Sequence, residues 1–266
     1  MWKGSGYLCV IMPYGAAIIK KYPRKMTNEQ KNPLYNPQRC DILWKKEKEA
    51  AVTVERICCI VGACAPGEIH LPPGGDALVI AADGGLRYLE ERGITPELVV
   101  GDFDSLGHVP EGENILTHPV EKDDTDTMLA VKLGLERGCR TFLMYGCLGG
   151  RPDHTYANYQ TLSFLAAHKA RGYLVGNGWV ISAVCGGTLV FPKGLSGTVS
   201  VFCPDGEARG VTLKGLYYPL EDGTLTSGFP LGVSNHFTGV SAEVSVADGS
   251  LLVMWEEPAE KFAERI

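Results

Sequence analysis

The sequence lacks the features of two large classes of protein. No apolar run approaches the roughly 18 consecutive residues that a membrane-spanning helix needs, so we expect no integral membrane protein and no membrane partner. None of the nine cysteines forms a CxxC pair, and most lie inside apolar runs such as ICCIVGAC. This usage disfavours a zinc site and predicts buried free thiols in the reducing cytoplasm.

Two nucleotide-binding signatures are also missing. The sequence contains no GxxxxGK[ST] motif, which excludes a P-loop enzyme. The first buried run is followed by GACAPGE, which lacks the GxGxxG spacing. A dinucleotide-binding fold of the Rossmann type is therefore disfavoured.

Basic residues are scarce in the body of the chain. Residues 57–266 hold 14 Lys and Arg against 26 Asp and Glu, whereas residues 1–56 hold 11 against 5. An acidic body argues against general nucleic-acid binding. If the ligand is an anion, its charge has to be neutralised, and a divalent cation held by clustered aspartates is one way to do so.

The 266 residues are 45% hydrophobic and 21% charged, as in a globular protein, and they divide into three segments. Residues 1–55 are basic and without periodicity, which predicts a disordered extension; a signal peptide or a start at Met26 are alternatives. Residues 56–178 alternate apolar strands with helices, which predicts an α/β fold: a mostly parallel sheet with helices on both faces. Residues 179–266 read as short strands between Gly, Pro and Asp turns, which predicts an antiparallel β-sandwich.

The predicted elements of the α/β segment are well marked. Five buried strands are expected at RICCIVGA, ALVIAA, ELVVGD, RTFLMYG and GYLVGN. A short helix should end near Gly93, and two longer helices are expected at about 125–137 and 154–169. Ligands of such sheets sit at the carboxyl ends of the strands, so the residues that follow each strand are the candidates for a site.

Aspartates follow four successive strands. Their segments are Asp83-Gly84-Gly85, Asp102 with Asp104, Asp123-Asp124-Thr125-Asp126, and Asp153 in GGRPDH. Carboxylates that converge at one sheet edge repel one another unless a cation joins them. Because they are hard oxygen donors without Cys or His pairs nearby, the pattern indicates Mg²⁺, or Mn²⁺ in its place.

Simpler roles compete at some of these positions. One of Asp123, Asp124 and Thr125 is expected to cap the following helix. Capping the helix expected at about 154–169 is likewise an alternative role for Asp153. Lys122 and Arg151 are the basic groups nearby, and Arg151 is either a phosphate ligand or a surface ion-pair partner. Gly149 and Gly150 either open the backbone to a ligand or simply make a turn. Taken together, the set indicates phosphoryl-type transfer from a nucleotide.

The motifs ADGG, GDFDS, KDDTD and GGRPDH, in this order and spacing, resemble those of bacterial thiamine pyrophosphokinases. The resemblance covers residues 56–266, and KGLYYPL with GVSNHF is similar to the family's thiamine-binding sandwich. It implies transfer of a pyrophosphoryl group from ATP, the co-substrate, to the hydroxyethyl group of thiamine. It also implies a catalytic domain at 56–178, a thiamine-binding domain at 179–266, and a homodimer with the thiamine site at its interface.

The resemblance also implies roles for individual residues. The catalytic carboxylates would be Asp102, Asp104, Asp126 and Asp153, the first three also holding the metal. ATP and its phosphates would be bound by Asp83, Gly84, Gly85, Lys122, Thr125, Gly149, Gly150, Arg151 and Asn158. Thiamine would be bound by Ser234, Asn235 and His236, where His236 departs from the acidic residue of many relatives. Two alternatives are another Mg²⁺-dependent, nucleotide-using transferase acting on a different alcohol, and a non-catalytic thiamine or nucleotide sensor.

Overall fold

The computed structural model describes residues 7–11, 17–21, 56–72, 77–101, 115–117 and 124–266. It divides the chain into two compact units, Met1–Val54 and Glu55–Ile266. In the first unit, β1 (Tyr7–Ile11) and β2 (Ala17–Lys21) pair antiparallel. This strand pair lies within the segment predicted as a disordered extension. The rest of that segment is outside the described residues, so the role of residues 1–55 stays a prediction.

In the second unit, six neighbouring strands are parallel. In spatial order they are β6 (Ile115–Thr117), β5 (Leu98–Gly101), β4 (Ala77–Ala82), β3 (Ile57–Val61), β7 (Thr141–Tyr145) and β8 (Arg171–Gly176). The central strands are apolar at almost every position and are buried on both faces, as parallel strands covered by helices are. The five strands predicted in this segment are confirmed.

Helices cover both faces of the parallel strands. On one face, α1 (Gly85–Glu90) packs Leu86 and Leu89 against Cys59 and Val61 of β3. On the other, α2 (Asp126–Glu136) and α3 (Pro152–Ala167) pack against the alternate residues of the same strands. The alternation arises because successive strand side chains point to opposite faces. The longer helices lie where the sequence predicts them, within two residues at each end.

The strands after Gly178 are all antiparallel. They are β9 (Trp179–Phe191), β10 (Thr198–Phe202), β11 (Glu207–Lys214), β12 (Leu220–Thr226), β13 (Gly232–His236) and β14 (Ala242–Glu256), and a short α4 (Ala259–Ala263) follows. One edge of β14 pairs with β9, and the other is shared by β11 and β10. Because β8 pairs with β9, the parallel and antiparallel strands form one mixed sheet.

Two strands are longer than the sequence predicts. The sequence predicts short strands throughout residues 179–266, but WVISAV and GTLVFP, on either side of Cys185-Gly186, both lie in the 13-residue β9. In the same way, the 15-residue β14 runs through Asp248-Gly249, where the sequence predicts a turn between two strands. The strands continue through Gly186-Gly187 and Asp248-Gly249, where the sequence predicts turns. The pairing of β14 with β9 shifts its register there, between Val246 and Ser250. None of the helices in the described residues is long and apolar enough to cross a membrane.

Candidate active site

The parallel strands end level with one another, which brings their following residues to a single edge of the sheet. Val61 at the end of β3 is in register with Ala81 of β4 and with Tyr145 of β7. Tyr145 is in turn level with Val175 of β8. The sheet edge therefore gathers the segments that follow Val61, Ala82, Tyr145 and Gly176; the convergence of all four aspartate segments stays a prediction, because Asp102, Asp104 and Asp123 lie outside the described residues.

Asp83 is held at the end of β4 by the neighbouring strand. Its backbone N–H donates to the carbonyl of Val100 at 2.7 Å, and its φ is 51°. This left-handed conformation is uncommon for a residue with a side chain, although Asp tolerates it better than most. A Cβ at Gly101 would lie 3.1 Å from the Cα of Asp83, so a larger residue there would press on Asp83. The two strand ends are thus in direct contact.

The glycines after Asp83 serve packing. Gly84 is the N-terminal cap of α1, and Gly85 is buried. A Cβ on Gly85 would lie 1.8 Å from the carbonyl oxygen of Val61, so only glycine lets α1 begin so close to β3. This contact fixes the first turn of α1 at the sheet edge.

The glycine loop, residues 146–150, connects β7 to α3. Gly149 and Gly150 both have left-handed φ values, 84° and 64°. The Cys64 thiol donates to the Gly149 carbonyl at 3.3 Å, and a Cβ on Gly150 would lie 2.9 Å from the same sulfur. From the other side, the Thr155 hydroxyl lies 3.1 Å from the Gly149 carbonyl. The loop is therefore held between the end of β3 and the first turn of α3.

Arg151 and Asp153 bind each other. The guanidinium donates through Nε and Nη2 to the two carboxylate oxygens of Asp153, at 3.2 and 2.6 Å. Both side chains are well exposed, at 71% and 62%. The Arg151 guanidinium lowers the pKa of Asp153 to about 2 and Asp153 raises the pKa of Arg151. The ion-pair alternative for Arg151 is thus realised, in a position that still faces solvent.

The N-terminus of α2 lies beside the glycine loop. Thr125 is its cap, with its hydroxyl oxygen accepting from the N–H of Met128 at 3.2 Å, so the predicted capping role falls to Thr125. Asp126 is the first helical residue. Thr127 follows, and its side chain lies by the Cys147 thiol, whose burial raises its pKa to about 12. This proximity places the start of α2 against the end of β7.

Asn158 is engaged inside the fold. It is 6% exposed, and its amide nitrogen donates to the carbonyl of Cys147 at 2.8 Å. This contact ties α3 to the end of β7. A role for Asn158 in ATP binding therefore stays a prediction, and the observed bond supports a positioning role.

Several predicted residues lie outside the described ones. They are Asp102, Asp104, Lys122 and Asp123. Within the part that the structure describes, no three Asp, Glu, His or Cys side chains are grouped as metal ligands. The metal assignment accordingly stays a prediction.

The predicted thiamine residues lie on β13. Ser234 is exposed and has a left-handed φ of 59°, and its N–H donates to the Ser200 hydroxyl at 3.0 Å. Asn235 is 4% exposed, and its amide accepts from the N–H of Tyr218 and donates to the Tyr218 carbonyl, at 2.9 and 2.7 Å. The same amide oxygen accepts from the N–H of His236 at 2.8 Å. Asn235 thus holds the backbone of Tyr218, whose ring is exposed.

Sequence reasoning missed three residues near the site. Cys64 was expected to be another buried thiol, and nothing in the sequence indicates its bond to Gly149. Thr155 lies one turn after the glycine loop, where a hydroxyl often bonds back to the preceding turn. Lys132 forms an ion pair with Asp124 at 2.6 Å, a contact between a helix and the segment before its cap that side-chain spacing alone does not predict.

The chain is similar to known proteins in sequence and in fold. Residues 75–174 match the family described as thiamin pyrophosphokinase, catalytic domain, and residues 188–251 match thiamin pyrophosphokinase, vitamin B1 binding domain. A curated thiamine pyrophosphokinase of Bacillus subtilis is 29% identical over 184 residues, covering 66% of this chain and 86% of that protein.

Solved structures agree with these matches. The thiamine pyrophosphokinase crystal structure from Bacillus subtilis has a TM-score of 0.66 and 25% identity, over 76% of this chain and 99% of that one. The structure from Geobacillus thermodenitrificans has a TM-score of 0.65 and 26% identity, over 76% and 98%. The class is thus an enzyme with a catalytic part and a vitamin-binding part. The chain belongs to the thiamine pyrophosphokinase family.

Proposed function

We propose that this chain transfers the pyrophosphoryl group of ATP to the hydroxyethyl group of thiamine, giving thiamine diphosphate and AMP. The two family matches along the chain support this function. The observation that carries it is the convergence of Asp83, the glycine loop and the start of α2 at one sheet edge. That edge is where α/β folds bind their ligands.

Mg²⁺ is the metal that suits the donors. The carboxylates of Asp102, Asp104 and Asp126 would hold it, since hard oxygen ligands without sulfur select Mg²⁺ or Mn²⁺. Bound there, the ion would neutralise charge on the triphosphate.

Chain connectivity supports a place for Asp102 at this site. Gly101 contacts Asp83, and Asp102 follows Gly101 directly. Because β5 pairs with β4 and Asp102 is the next residue of the chain after β5, we propose that the carboxylates of Asp102 and Asp104 act at this edge.

The reaction can be assigned to residues of the chain. The thiamine hydroxyl oxygen forms a bond to the β-phosphorus, the bond from that phosphorus to the α–β bridging oxygen breaks, and AMP leaves. Arg151 and Lys122 would neutralise phosphate oxygens, and the glycine loop lets them approach the backbone. The hydroxyl proton goes to Asp104 or Asp126, because Asp153, paired with Arg151, is a weak base.

The antiparallel strands would bind the thiamine ring as a β-sandwich domain. Ser234 and His236 are exposed on β13 and available to the ring. Asn235 would act by holding Tyr218 in place, since the amide already binds the Tyr218 backbone at both ends. The exposed ring of Tyr218 would offer an aromatic face that suits a planar pyrimidine.

We further propose a homodimer formed through the β13 region. Large apolar side chains are exposed around Ser234: Phe229 at 65%, Leu231 at 57% and Val233 at 50%. Grouped apolar side chains of this kind are typical of protein interfaces. A second copy docked there would bring its own active site to Ser234. We place the reaction in the cytoplasm, where ATP is supplied and the seven free cysteines of the described residues would stay reduced.

The decisive experiment is an assay of AMP release from ATP and Mg²⁺, with and without thiamine. We expect AMP and thiamine diphosphate to form in equal amounts, and no AMP beyond background when thiamine is left out. Release of AMP only with a different alcohol would instead support the alternative transferase. Binding of both substrates without any turnover would support the sensor.

A further inference from the structure

A buried carboxylate lies next to the turn between β8 and β9. It belongs to Glu257, which follows β14 directly and is 4% exposed. The Arg265 guanidinium donates to it through Nε at 2.9 Å and through Nη2, and the Trp255 indole donates to it at 2.7 Å. Carboxylates are rarely buried unless they are paired. Since its oxygens already have donors, the role of Glu257 lies in what it holds in place rather than in binding a ligand.

Arg265 is held in position by α4. Its guanidinium carbon lies 5.0 Å from the ring centre of Phe262, a contact that favours a cation over an aromatic face. The Phe262 ring is fully buried and packs edge-on against Tyr173 at 4.9 Å and against Trp255 at 6.0 Å. Because α4 is fixed on this aromatic cluster, the guanidinium is brought to Glu257 in a defined geometry.

The backbone of Glu257 binds the turn. Its N–H donates to the carbonyl of Gly178 at 3.0 Å. Asn177 and Gly178 form the two-residue loop of the hairpin between β8 and β9, and both have positive φ values, 55° and 77°. The residue that carries the buried carboxylate is therefore hydrogen-bonded to the tip of this hairpin.

The turn contacts the glycine loop. A Cβ on Gly149 would lie 3.9 Å from Nδ2 of Asn177, so the Asn177 amide stands beside the loop. The predicted thiamine residue Asn235 instead bonds to the backbone of Tyr218. A displacement of the turn would therefore act on the glycine loop and leave the Asn235 contacts in place.

We propose that Glu257 and Arg265 are positioning residues for the proposed reaction: their ion pair fixes the turn between β8 and β9 and, through it, the glycine loop. The physical basis is the cost of half a pair. A buried carboxylate that loses its cation is strongly destabilised, whereas replacing both charged groups by neutral ones is often tolerated. Without Arg265, the Glu257 side chain would turn toward water and draw its N–H away from Gly178. This inference rests on the proposed function for what the loop binds.

Three variants test the ion pair. Arg265→Met removes the cation, and adding Glu257→Gln removes the charge that is left behind. A glutamine can still accept from the Trp255 indole, so the double variant should fold. Ser182→Ala is the matched control, because it removes a buried hydrogen bond between β9 and Gly172 of β8, the two strands that the turn joins, and no charge.

The Cys64 thiol reports on the glycine loop without any turnover. It is half-buried and donates to the Gly149 carbonyl at 3.3 Å, so a shifted loop would let N-ethylmaleimide reach it faster. Cys185 is exposed and serves as the internal standard in mass spectrometry of the labelled peptides. We expect labelling of Cys64 relative to Cys185 to rise at least about threefold in Arg265→Met, as local opening does. The double variant and Ser182→Ala should match wild type.

Steady-state kinetics give the second readout. We expect Arg265→Met to raise the ATP KM at least about fivefold, with kcat and the thiamine KM within about twofold of wild type, since positioning at the loop is what changes. The double variant should recover most of the loss, because substitutions that share a contact are not additive. A lower Tm with unchanged labelling and an unchanged ATP KM would overturn the inference. Equal effects in Ser182→Ala would do the same.

A milder variant keeps the test open if Arg265→Met does not fold. Arg265→Gln removes the charge but keeps a hydrogen-bond donor for the carboxylate. We expect the labelling ratio and the ATP KM each to rise at least about twofold, in line with a partly lost positioning contact. Wild-type values of both in the folded protein contradict the proposal.

The two proposals can fail separately. The labelling ratio needs neither ATP nor thiamine, so its rise in Arg265→Met would establish the coupling even if no thiamine diphosphate forms. Thiamine diphosphate formation with an unchanged labelling ratio in Arg265→Met would leave the proposed function intact and reject this inference.

Discussion

The guanidinium of Arg151 donates hydrogen bonds to both carboxylate oxygens of Asp153, and the shorter bond is 2.6 Å long. The family resemblance implies that Arg151 binds phosphate and that Asp153 is one of the catalytic carboxylates. In the structure they neutralise each other at the N-terminus of α3. Because the pair is exposed, the arginine is able to leave the carboxylate when a phosphate competes for it. We therefore expect Asp153 to orient Arg151 rather than to act as the general base.

The first prediction concerns Asp153→Asn. A carboxyl group with a pKa of about 2 stays ionised from about pH 4 upward, so it cannot set the acidic limb of the activity profile. We expect kcat/KM to fall about tenfold or less, against the roughly 10²–10⁴ that a lost general base costs, with the acidic limb unmoved. The measurement is a pH series of kcat/KM for both proteins. A displaced limb would make Asp153 the base.

The same depressed pKa fixes the sign of a small stability effect. The folded pKa lies below the unfolded one, so the stabilisation is present above about pH 4 and is lost as the pH falls toward 2. Since both side chains are largely exposed, solvent screens most of it. Asp153→Asn should hardly change the Tm at neutral pH.

The second prediction concerns Gly150→Ala, with Gly93→Ala as its matched control. Both glycines have a left-handed φ, 64° and 67°, so each alanine should cost about 1–2 kcal/mol of folding free energy. Only at Gly150 does the new Cβ meet another group, the Cys64 sulfur at 2.9 Å. We expect similar Tm losses, but a fall of about tenfold in kcat/KM for ATP in Gly150→Ala alone.

A double variant tests the origin of that fall. Adding Cys64→Ala to Gly150→Ala removes the sulfur that the new Cβ meets. Neighbouring substitutions that share a contact are not additive, so part of the lost activity should return. If the double variant is less active than the product of the single effects predicts, contact with Cys64 is not the cause.

The third prediction concerns Asn235→Ala. The change leaves the N–H groups of Tyr218 and His236 without their acceptor, and the loss of one such hydrogen bond costs about 0.5–1.5 kcal/mol. We expect a lower Tm and a thiamine KM raised about tenfold or more, with the ATP KM near wild type. Ser182→Ala is the control: it removes another buried hydrogen bond, to Gly172 at 2.8 Å, away from Tyr218. It should lower the Tm and leave both KM values unchanged.

The fourth prediction concerns the proposed metal ligands. Asp126→Asn, Asp102→Asn and Asp104→Asn should each reduce kcat at least about 100-fold, as the loss of a preorganised charge contact does. Asp205→Asn, at an exposed turn, is the control and should keep full activity. Steady-state kinetics over a range of Mg²⁺ concentrations would show whether excess metal restores activity. Near-normal kcat in Asp126→Asn contradicts its assignment.

Much of the fold could be predicted because continuous apolar runs of four to six residues, such as ICCIV, suit only strands buried on both faces. The cap at Thr125 was also predictable from local chemistry. The long strands were not, because Asp248-Gly249 is a turn signal by itself and becomes a bulge only when β9 is paired opposite. Tertiary pairing, which the local sequence does not encode, decides between the two outcomes.

The candidate site, like the fold, could be predicted from the sequence only in part. Strand-end aspartates are recognisable because their position follows from the parallel sheet. The partners of Asn235 and Cys64 are not, because an amide or a thiol bonds whichever group lies opposite. Both turn out to contact backbone far away along the chain, at Tyr218 and Gly149. Long-range contacts of this kind require the folded structure.

The continuous sheet has a consequence for how the chain folds. The turn at Asn177-Gly178 marks the change from parallel to antiparallel strands, yet it is the turn of a hairpin between β8 and β9. The buried cluster also crosses it, from Tyr173 of β8 to Trp255 of β14, whose rings meet edge to face at 6.5 Å. A chain cut at this turn would expose an unpaired strand edge and half of that cluster. We therefore expect the part that matches the catalytic domain and the part that matches the vitamin B1 binding domain to unfold together, as one compact unit.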